Sequence, residues 1–207
     1  INSVLSVSED KRTATTEAIP EYRQPRTITR QEMDNACNFK SLSSEQWENN
    51  LIEVSSWLDS YAEQWKSDNE KWESHVSHPN RVTDLTEFEL EVARYKEGIE
   101  ALRRDKNLAL AFRSANEAFS MGKHPRWRLF QLVFVVTQMT SLLAREINEP
   151  RLREVLERVD VLWFPTGGGK TEAYFGVITT ALFYDRMRGK NRGTTAWLRY
   201  PLRMLSI

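Results

Sequence analysis

Cysteine is almost missing from this sequence of 207 residues. The single cysteine, Cys37, excludes an internal disulfide and a zinc site built from several cysteines. A chain without disulfides suits a reducing compartment, so we expect a cytoplasmic protein. The front of the sequence also lacks the pattern of a secretory signal. The first residue is not methionine and the last residues, LRMLSI, are strongly apolar, so we expect a piece of a longer protein.

A long hydrophobic run is missing as well. The longest one, LFQLVFVVTQMTSLLA, covers residues 129–144 and contains five uncharged polar residues. Its 16 residues are fewer than the roughly 20 that cross a bilayer. We therefore predict a core helix over this run, and no membrane partner.

The chain has no net charge, because 29 basic residues balance 29 acidic ones. The two signs are unevenly distributed, with a balance of −7 over residues 43–110 and +7 over residues 111–207. A basic half favours phosphate-rich partners, although an ordinary charged surface has the same composition.

The front of the chain divides into two regions. Residues 1–42 are polar without a clear period, and we predict an extended arm or loose strands. Residues 43–122 contain two apolar stripes with heptad spacing, which predict two long helices in an antiparallel hairpin. Ser43 with Gln46, and Asp84 with Glu87, match the capping box that starts a helix. The first stripe is Trp47, Leu51, Val54, Leu58, Tyr61 and Trp65, and the second is Phe88, Val92, Tyr95, Ile99 and Leu102.

Residues 123–207 predict the start of a RecA-like ATP-binding lobe. VDVLWFP (159–165) and TTAWLRY (194–200) have the length and composition of buried strands. Between them, residues 170–188 have a helical pattern. A strand, a loop, a helix and a second strand make a βαβ unit, which implies a parallel sheet and an α/β P-loop fold class. The expected packing side of the helix is Tyr174, Val177, Ile178, Ala181 and Leu182.

The segment PTGGGKT (165–171) lies between the first strand and the helix. Glycines let backbone N–H groups approach phosphate oxygens closely, and the helix adds the positive end of its dipole. Lys170 would contact the β- and γ-phosphates, and the Thr171 hydroxyl would bind Mg²⁺. A glycine-rich turn without a ligand is the alternative, since Phe164 stands where the strict P-loop pattern has its first glycine.

This segment resembles motif I of superfamily two helicases and translocases, in which the first glycine is often replaced. RLFQ (128–131) resembles the segment upstream of motif I, whose glutamine recognises adenine, and an amide can donate and accept at once. YPLRML (200–205) resembles motif Ia and assigns Arg203 to a nucleic-acid backbone, although Leu202 replaces the usual threonine. A surface glutamine and an arginine at a helix start are the alternatives. The predicted ATP ligands are Arg128, Gln131, Thr166, Gly167, Gly168, Gly169, Lys170 and Thr171.

Three longer stretches carry a further resemblance. They are AFRSANEAFSMGKHPRWRLFQLVFV, VDVLWFPTGGGKTEAYFGV and AWLRYPLRMLSI. Together they resemble the DrmA family, the helicase-like subunits of the DISARM anti-phage system. The resemblance implies ATP-dependent action on single-stranded or junction DNA through backbone contacts. It also implies Mg²⁺, a partner subunit of the DrmB type, and a role in bacterial defence.

The sequence has no D-E-x-D/H box, whose carboxylates hold Mg²⁺ and orient the attacking water. We therefore expect this chain to hold ATP but not to hydrolyse it alone. Two other readings stay open. One is a different P-loop protein, such as a small-molecule kinase or a signalling ATPase. The other is a non-catalytic module in which the helical hairpin docks a partner.

Overall fold

The computed structural model describes residues 5–7, 14–16, 31–72, 81–162 and 167–199. Two short strands near the front, β1 (Leu5–Val7) and β2 (Ala14–Thr16), pair antiparallel with Leu5 opposite Thr16. Helices make up most of the remaining described residues. In chain order they are α1 (Phe39–Ser43), α2 (Trp47–Trp72), α3 (Arg81–Arg104), α4 (Lys106–Ser120), α5 (Leu129–Thr137), α6 (Met139–Ala144), α7 (Pro150–Leu156) and α8 (Lys170–Met187).

The two longest helices, α2 and α3, run antiparallel. Glu48 near the start of α2 pairs with Arg103 near the end of α3, at 2.7 Å between Oε1 and Nε. At the other end of the pair, Lys66 Nζ lies 2.7 Å from Glu89 Oε1. The apolar stripes face each other, and their buried members include Leu51, Val54, Val92, Tyr95 and Ile99.

A single hydrophobic core joins residues from Met33 to Tyr184, and α5 runs through it. Leu132, Val135 and Val136 of α5 are buried between α3 on one side and α8 on the other. α4 packs against α1 and α8. Helices from both sides of residue 122 therefore share one core, and the predicted division at that residue stays a prediction.

The helix α3 crosses α5 at a glycine. A Cβ on Gly98 would lie 2.0 Å from the carbonyl oxygen of Val136, so any larger side chain would collide with backbone. This close approach brings α5, and the residues at its start, against the long helical pair.

The α/β P-loop fold class predicted from the sequence is wrong for the described residues. Residues 159–162 and 194–199 form no strand, and the described chain contains no parallel sheet and no βαβ unit. A strand needs the backbone of a neighbour to pair with, and an apolar run cannot supply one. Val159, Val161 and Trp197 are 88%, 80% and 86% exposed, which is the reverse of the burial that we predicted.

Helix boundaries also differ from the prediction. Ser43 ends α1, and the neighbouring Ser44 accepts a hydrogen bond at its Oγ from the Gln46 N–H, at 3.1 Å. α3 begins at Arg81, before the predicted cap at Asp84. The helix over residues 129–144 breaks after Thr137.

The buried side of α8 is rotated from the predicted one. Tyr174 and Leu182 are 39% and 44% exposed, whereas Gly176 and Thr180 are buried. The missing side chain of Gly176 lets Trp127 approach closely, and Thr180 Oγ1 donates to the Gly176 carbonyl at 2.9 Å. The predicted members Ala181 and Val177 do pack in or against the core, but apolar periodicity missed Gly176 and Thr180 because these residues are small or polar.

Among the described residues, no helix combines the length and the apolar composition that crossing a bilayer requires.

Candidate nucleotide-binding site

The glycine-rich loop leads directly into α8. Gly167 and Gly169 have φ values of 77° and 90°, in the left-handed region that favours glycine. Gly169 is the N-cap of α8, and Lys170 is the first helical residue. A glycine cap supplies no side-chain oxygen to the first-turn amides, so this end of α8 suits an anion.

A side chain at Gly169 would also disturb the anchor of the loop. A Cβ there would lie 2.6 Å from Gln131 Nε2 and 3.3 Å from Glu172 Oε2. The backbone conformation therefore favours glycine at this position, and a larger residue would have to displace the Gln131 amide.

Two predicted ligands from the start of α5 hold the loop. Arg128 Nη1 donates to the Gly168 carbonyl at 2.8 Å, and Gln131 Nε2 donates to the Gly169 carbonyl at 2.8 Å. Gln131 is 5% exposed, and its Oε1 accepts from the Arg128 backbone N–H at 2.8 Å. The structure thus brings together residues that lie 40 and 38 positions apart in the sequence.

These two hydrogen bonds set the direction of the loop amides. In a planar trans peptide, the carbonyl of one residue and the N–H of the next point in opposite directions. Since the Gly168 and Gly169 carbonyls point at Arg128 and Gln131, the N–H groups of Gly169 and Lys170 point away from these side chains. The loop is therefore preorganised by α5, before any contact with a ligand.

The loop opens onto a cavity of about 610 Å³, a size typical of small-molecule sites. Of the described residues, two lysines and two arginines line the cavity, against the single carboxylate of Glu172. This excess of positive charge suits a polyanion. The sequence identified Arg128, Gln131 and the loop but missed two other groups of lining residues. One is a basic wall of Lys123, His124 and Arg126, and the other is an aromatic cluster of Phe39, Phe119 and Trp127. The basic run KHPRWR just before Gln131 was the available signal.

The wall and α5 are fixed by Trp127, which is 2% exposed. Its Nε1 donates to Asn116 Oδ1 at 2.8 Å, and its backbone N–H donates to the Cys37 carbonyl at 3.0 Å. Buried hydrogen bonds of this kind orient the indole within the core. The residue that follows, Arg128, is therefore presented to the loop at a defined place.

The far end of α8 is also tied down. The Tyr184 hydroxyl donates to Asp105 Oδ2 at 2.6 Å, while Asp105 Oδ1 caps α4 by accepting from Asn107 N at 2.8 Å. Burial, together with this hydrogen bond, raises the pKa of Tyr184. α8 is thus held at its start by α5 and near its end by the start of α4.

Thr171, the predicted ligand of Mg²⁺, is the remaining predicted site residue that the structure describes. Thr171 lies exposed at the second position of α8 and lines the cavity. Within the described ranges, no group of three or more His, Cys, Asp or Glu side chains could hold a metal ion. The Thr171 hydroxyl fits Mg²⁺ only together with phosphate oxygens, which is how Mg²⁺ is usually held beside nucleotides. Thr166 and Arg203 lie outside the described residues.

Part of this chain is similar to a known protein. No protein-family model matches this chain. The DISARM protein DrmA of Bacillus paralicheniformis (strain ATCC 9945a / NCIMB 11709 / CD-2) is 39% identical over 87 residues. The match covers 39% of this chain, and the chain spans only 7% of that protein's length. Part of this chain therefore has a DrmA-like relationship.

Proposed function

We propose that this chain supplies a binding site for ATP and Mg²⁺ to an ATP-dependent DNA helicase or translocase of a DISARM anti-phage system. The observation that carries the proposal is the cavity. It is bounded by a glycine loop at a helix N-terminus and by an excess of positive charge. The identity of part of the chain with DrmA supports a role in bacterial defence, and the resemblance of the loop to motif I supports nucleotide binding. A partner subunit of the DrmB type belongs to the same proposal.

Each residue has a defined task in the proposed site. The N–H groups of Gly169 and Lys170 bind phosphate oxygens, and the Lys170 ammonium neutralises the β- and γ-phosphates. Thr171 contributes its hydroxyl to Mg²⁺, which would add charge neutralisation and orient the phosphates when bound. Arg128 and Gln131 keep the loop peptides in the binding orientation. These tasks are binding and positioning, and the hydrolytic carboxylates are not among them.

Substitution of Lys170 and Thr171 in the intact protein tests this proposal. Lys170→Ala removes the charge from the phosphates and Thr171→Ala removes the Mg²⁺ ligand, so both should abolish ATP turnover. Both residues lie at the start of α8 and outside the buried core, so the fold should survive. ATP turnover and the circular dichroism melting curve are measured for each variant.

Two matched variants serve as controls. Lys106 is the first residue of α4, as Lys170 is of α8, but it does not line the cavity. Lys106→Ala should therefore leave turnover unchanged, and Thr171→Ser should retain activity because it keeps the hydroxyl. Normal ATPase rates in Lys170→Ala would remove the assignment.

A further inference from the structure

The basic wall of the cavity contains Arg126, which the sequence did not identify as a site residue. We propose that Arg126 is a further anion-binding residue of this site, and that it contacts phosphate oxygens of the nucleotide in exchange for its ion pair with Asp34. The inference rests on the proposed function. It adds Arg126 to the residues that bind phosphate, and it identifies the Asp34 carboxylate as an anion of the protein that competes with phosphate for Arg126.

Backbone pairing places Arg126 at the cavity. The Phe39 N–H donates to the Pro125 carbonyl and the Trp127 N–H donates to the Cys37 carbonyl, both at 3.0 Å. Arg126 itself bridges Asn38 in an antiparallel pair. Neighbouring side chains on extended backbone point to opposite sides. Since Trp127 enters the core, Arg126 points outward and lines the cavity.

The ion pair with Asp34 is well formed but easily exchanged. Arg126 Nη2 lies 2.6 Å from Asp34 Oδ2, and the two side chains are 41% and 31% exposed. Ion pairs this exposed stabilise proteins weakly, because water screens both charges. A phosphate group offers more negative charge than one carboxylate and matches the guanidinium fork in a bidentate geometry. Exchange of Asp34 for phosphate would therefore be favourable.

The charges that line the cavity support a phosphate ligand for Arg126. Arg128 already donates to the Gly168 carbonyl, so its guanidinium helps to hold the loop. Among the described lining residues, Glu172 is the one carboxylate, and it lies beside Gly169. Arg126 is thus a cation on the wall whose partner, Asp34, is not itself among the lining residues.

A double-mutant cycle on Arg126 and Asp34 in the intact protein tests the exchange. Binding of ATP, inorganic triphosphate and adenosine is measured with Mg²⁺ for wild type, Arg126→Ala, Asp34→Asn and the double variant. Arg126→Ala should weaken ATP and triphosphate by about tenfold, the loss expected for one charge-assisted contact, and leave adenosine unchanged. Asp34→Asn should tighten ATP and triphosphate by roughly two- to threefold, because the competing anion is gone.

The double variant separates exchange from general electrostatics. If Asp34 acts through Arg126, the gain from Asp34→Asn disappears in the Arg126→Ala background. If it persists there, Asp34 only repels the anion at a distance, and the exchange is overturned. Arg126→Lys keeps the charge and should bind more tightly than Arg126→Ala, which separates a lost contact from a damaged fold.

The Arg103–Glu48 pair provides the matched control. Its two side chains are 37% and 40% exposed and meet at 2.7 Å, but neither lines the cavity. Arg103→Ala and Glu48→Gln should leave all three affinities unchanged. Loss of ATP binding in Lys170→Ala alone, with no effect at Arg126 or Asp34, would overturn this inference and leave the proposed function standing. No binding by wild type would overturn both.

Discussion

At the scale of single residues, the Gln131 amide holds the glycine loop and keeps hydrogen-bonding capacity for a second contact. Its Oε1 and Nε2 bond to Arg128 and Gly169, which uses one lone pair and one hydrogen. A carboxamide has a second acceptor site and a second N–H, and Gln131 lines the cavity, so an adenine contact remains available. Adenine recognition by Gln131 stays a prediction, and loop anchoring is the task that the geometry adds.

The two tasks predict different nucleotide dependence. Gln131→Ala should weaken GTP because the loop loses its anchor, and weaken ATP by a further factor because the adenine contact is lost as well. A lost hydrogen bond of a buried group costs on the order of 1–3 kcal/mol. Nucleotide affinities measured by titration calorimetry check this. Equal losses for ATP and GTP would mean that Gln131 anchors the loop but does not recognise adenine. Unchanged affinities would contradict both roles.

Cys37 behaves as a buried thiol that resists ionisation. Burial, with a smaller effect from Asp34, raises the pKa of Cys37 to about 12. The unfolded thiol titrates near about pH 8.5, so above that pH the unfolded state binds fewer protons than the folded state. Stability should therefore be complete below about pH 8.5 and fall as the pH rises toward 12, by up to about 1.4 kcal/mol per pH unit from this group.

Cys37→Ala should flatten this pH dependence. The free energy of unfolding is measured by denaturant titration between about pH 8.5 and 10, below the range in which unfolded tyrosines titrate. The wild-type curve should fall more steeply than the variant curve. Parallel curves would contradict the assignment, as would rapid alkylation of Cys37 in the folded protein.

At the scale of helices, the crossing of α3 and α5 depends on Gly98. Alanine is usually the better helix former by up to about 1 kcal/mol, so helix propensity alone predicts that Gly98→Ala is stabilising. The structure predicts the opposite sign, because the new Cβ would lie 2.0 Å from the Val136 carbonyl oxygen. Forced repacking of this kind costs typically about 1–3 kcal/mol.

Thermal and urea unfolding of Gly98→Ala check this sign. Gly122→Ala is the control, since its Cβ would meet only the Phe119 carbonyl oxygen at 3.1 Å at an exposed position. We expect a clearly lower midpoint for Gly98→Ala and a small change for Gly122→Ala. A stabilised Gly98→Ala protein would show that α3 and α5 can move apart at no cost.

At the scale of the whole molecule, residues 43–110 and 111–207 have opposed charge balances, and described helices from both parts contribute to one hydrophobic core. The basic part contains the loop, the cavity wall and the segment that resembles motif Ia. DNA binding therefore remains a proposal that rests on charge and on this resemblance. Substitution of Arg203, which lies outside the described residues, tests the proposed DNA contact most directly.

Arg203→Ala should weaken binding to all DNA sequences alike, because a phosphate contact carries no sequence information. The dependence of affinity on salt should fall by roughly one counterion. DNA-stimulated ATPase should drop in the intact protein, while ATP affinity without DNA stays unchanged. Arg151→Ala, an exposed arginine of α7, is the control. Salt titrations of wild type and Arg203→Ala that superimpose would remove the DNA contact from this segment.

The sequence by itself determined features that depend on near neighbours in the chain. The heptad spacing from Trp47 onward indicated a long helix with one buried side, because a helix brings residues three and four apart together. Three consecutive glycines before Lys170 indicated a loop at a helix start, and the left-handed φ values of Gly167 and Gly169 are conformations that other residues rarely adopt. Both features are local, and both are present in the structure.

Only the tertiary structure decided which distant residues meet. The strands predicted at residues 159–165 and 194–200 are not formed in their described parts, since pairing depends on a neighbouring backbone and not on apolar composition. The bonds from Gln131 to Gly169 and from Arg126 to Asp34 join separate parts of the chain, so no local spacing encodes them. Burial in a common core packs α5 between α3 and α8. This packing brings Gln131, at the start of α5, against the glycine loop at the start of α8.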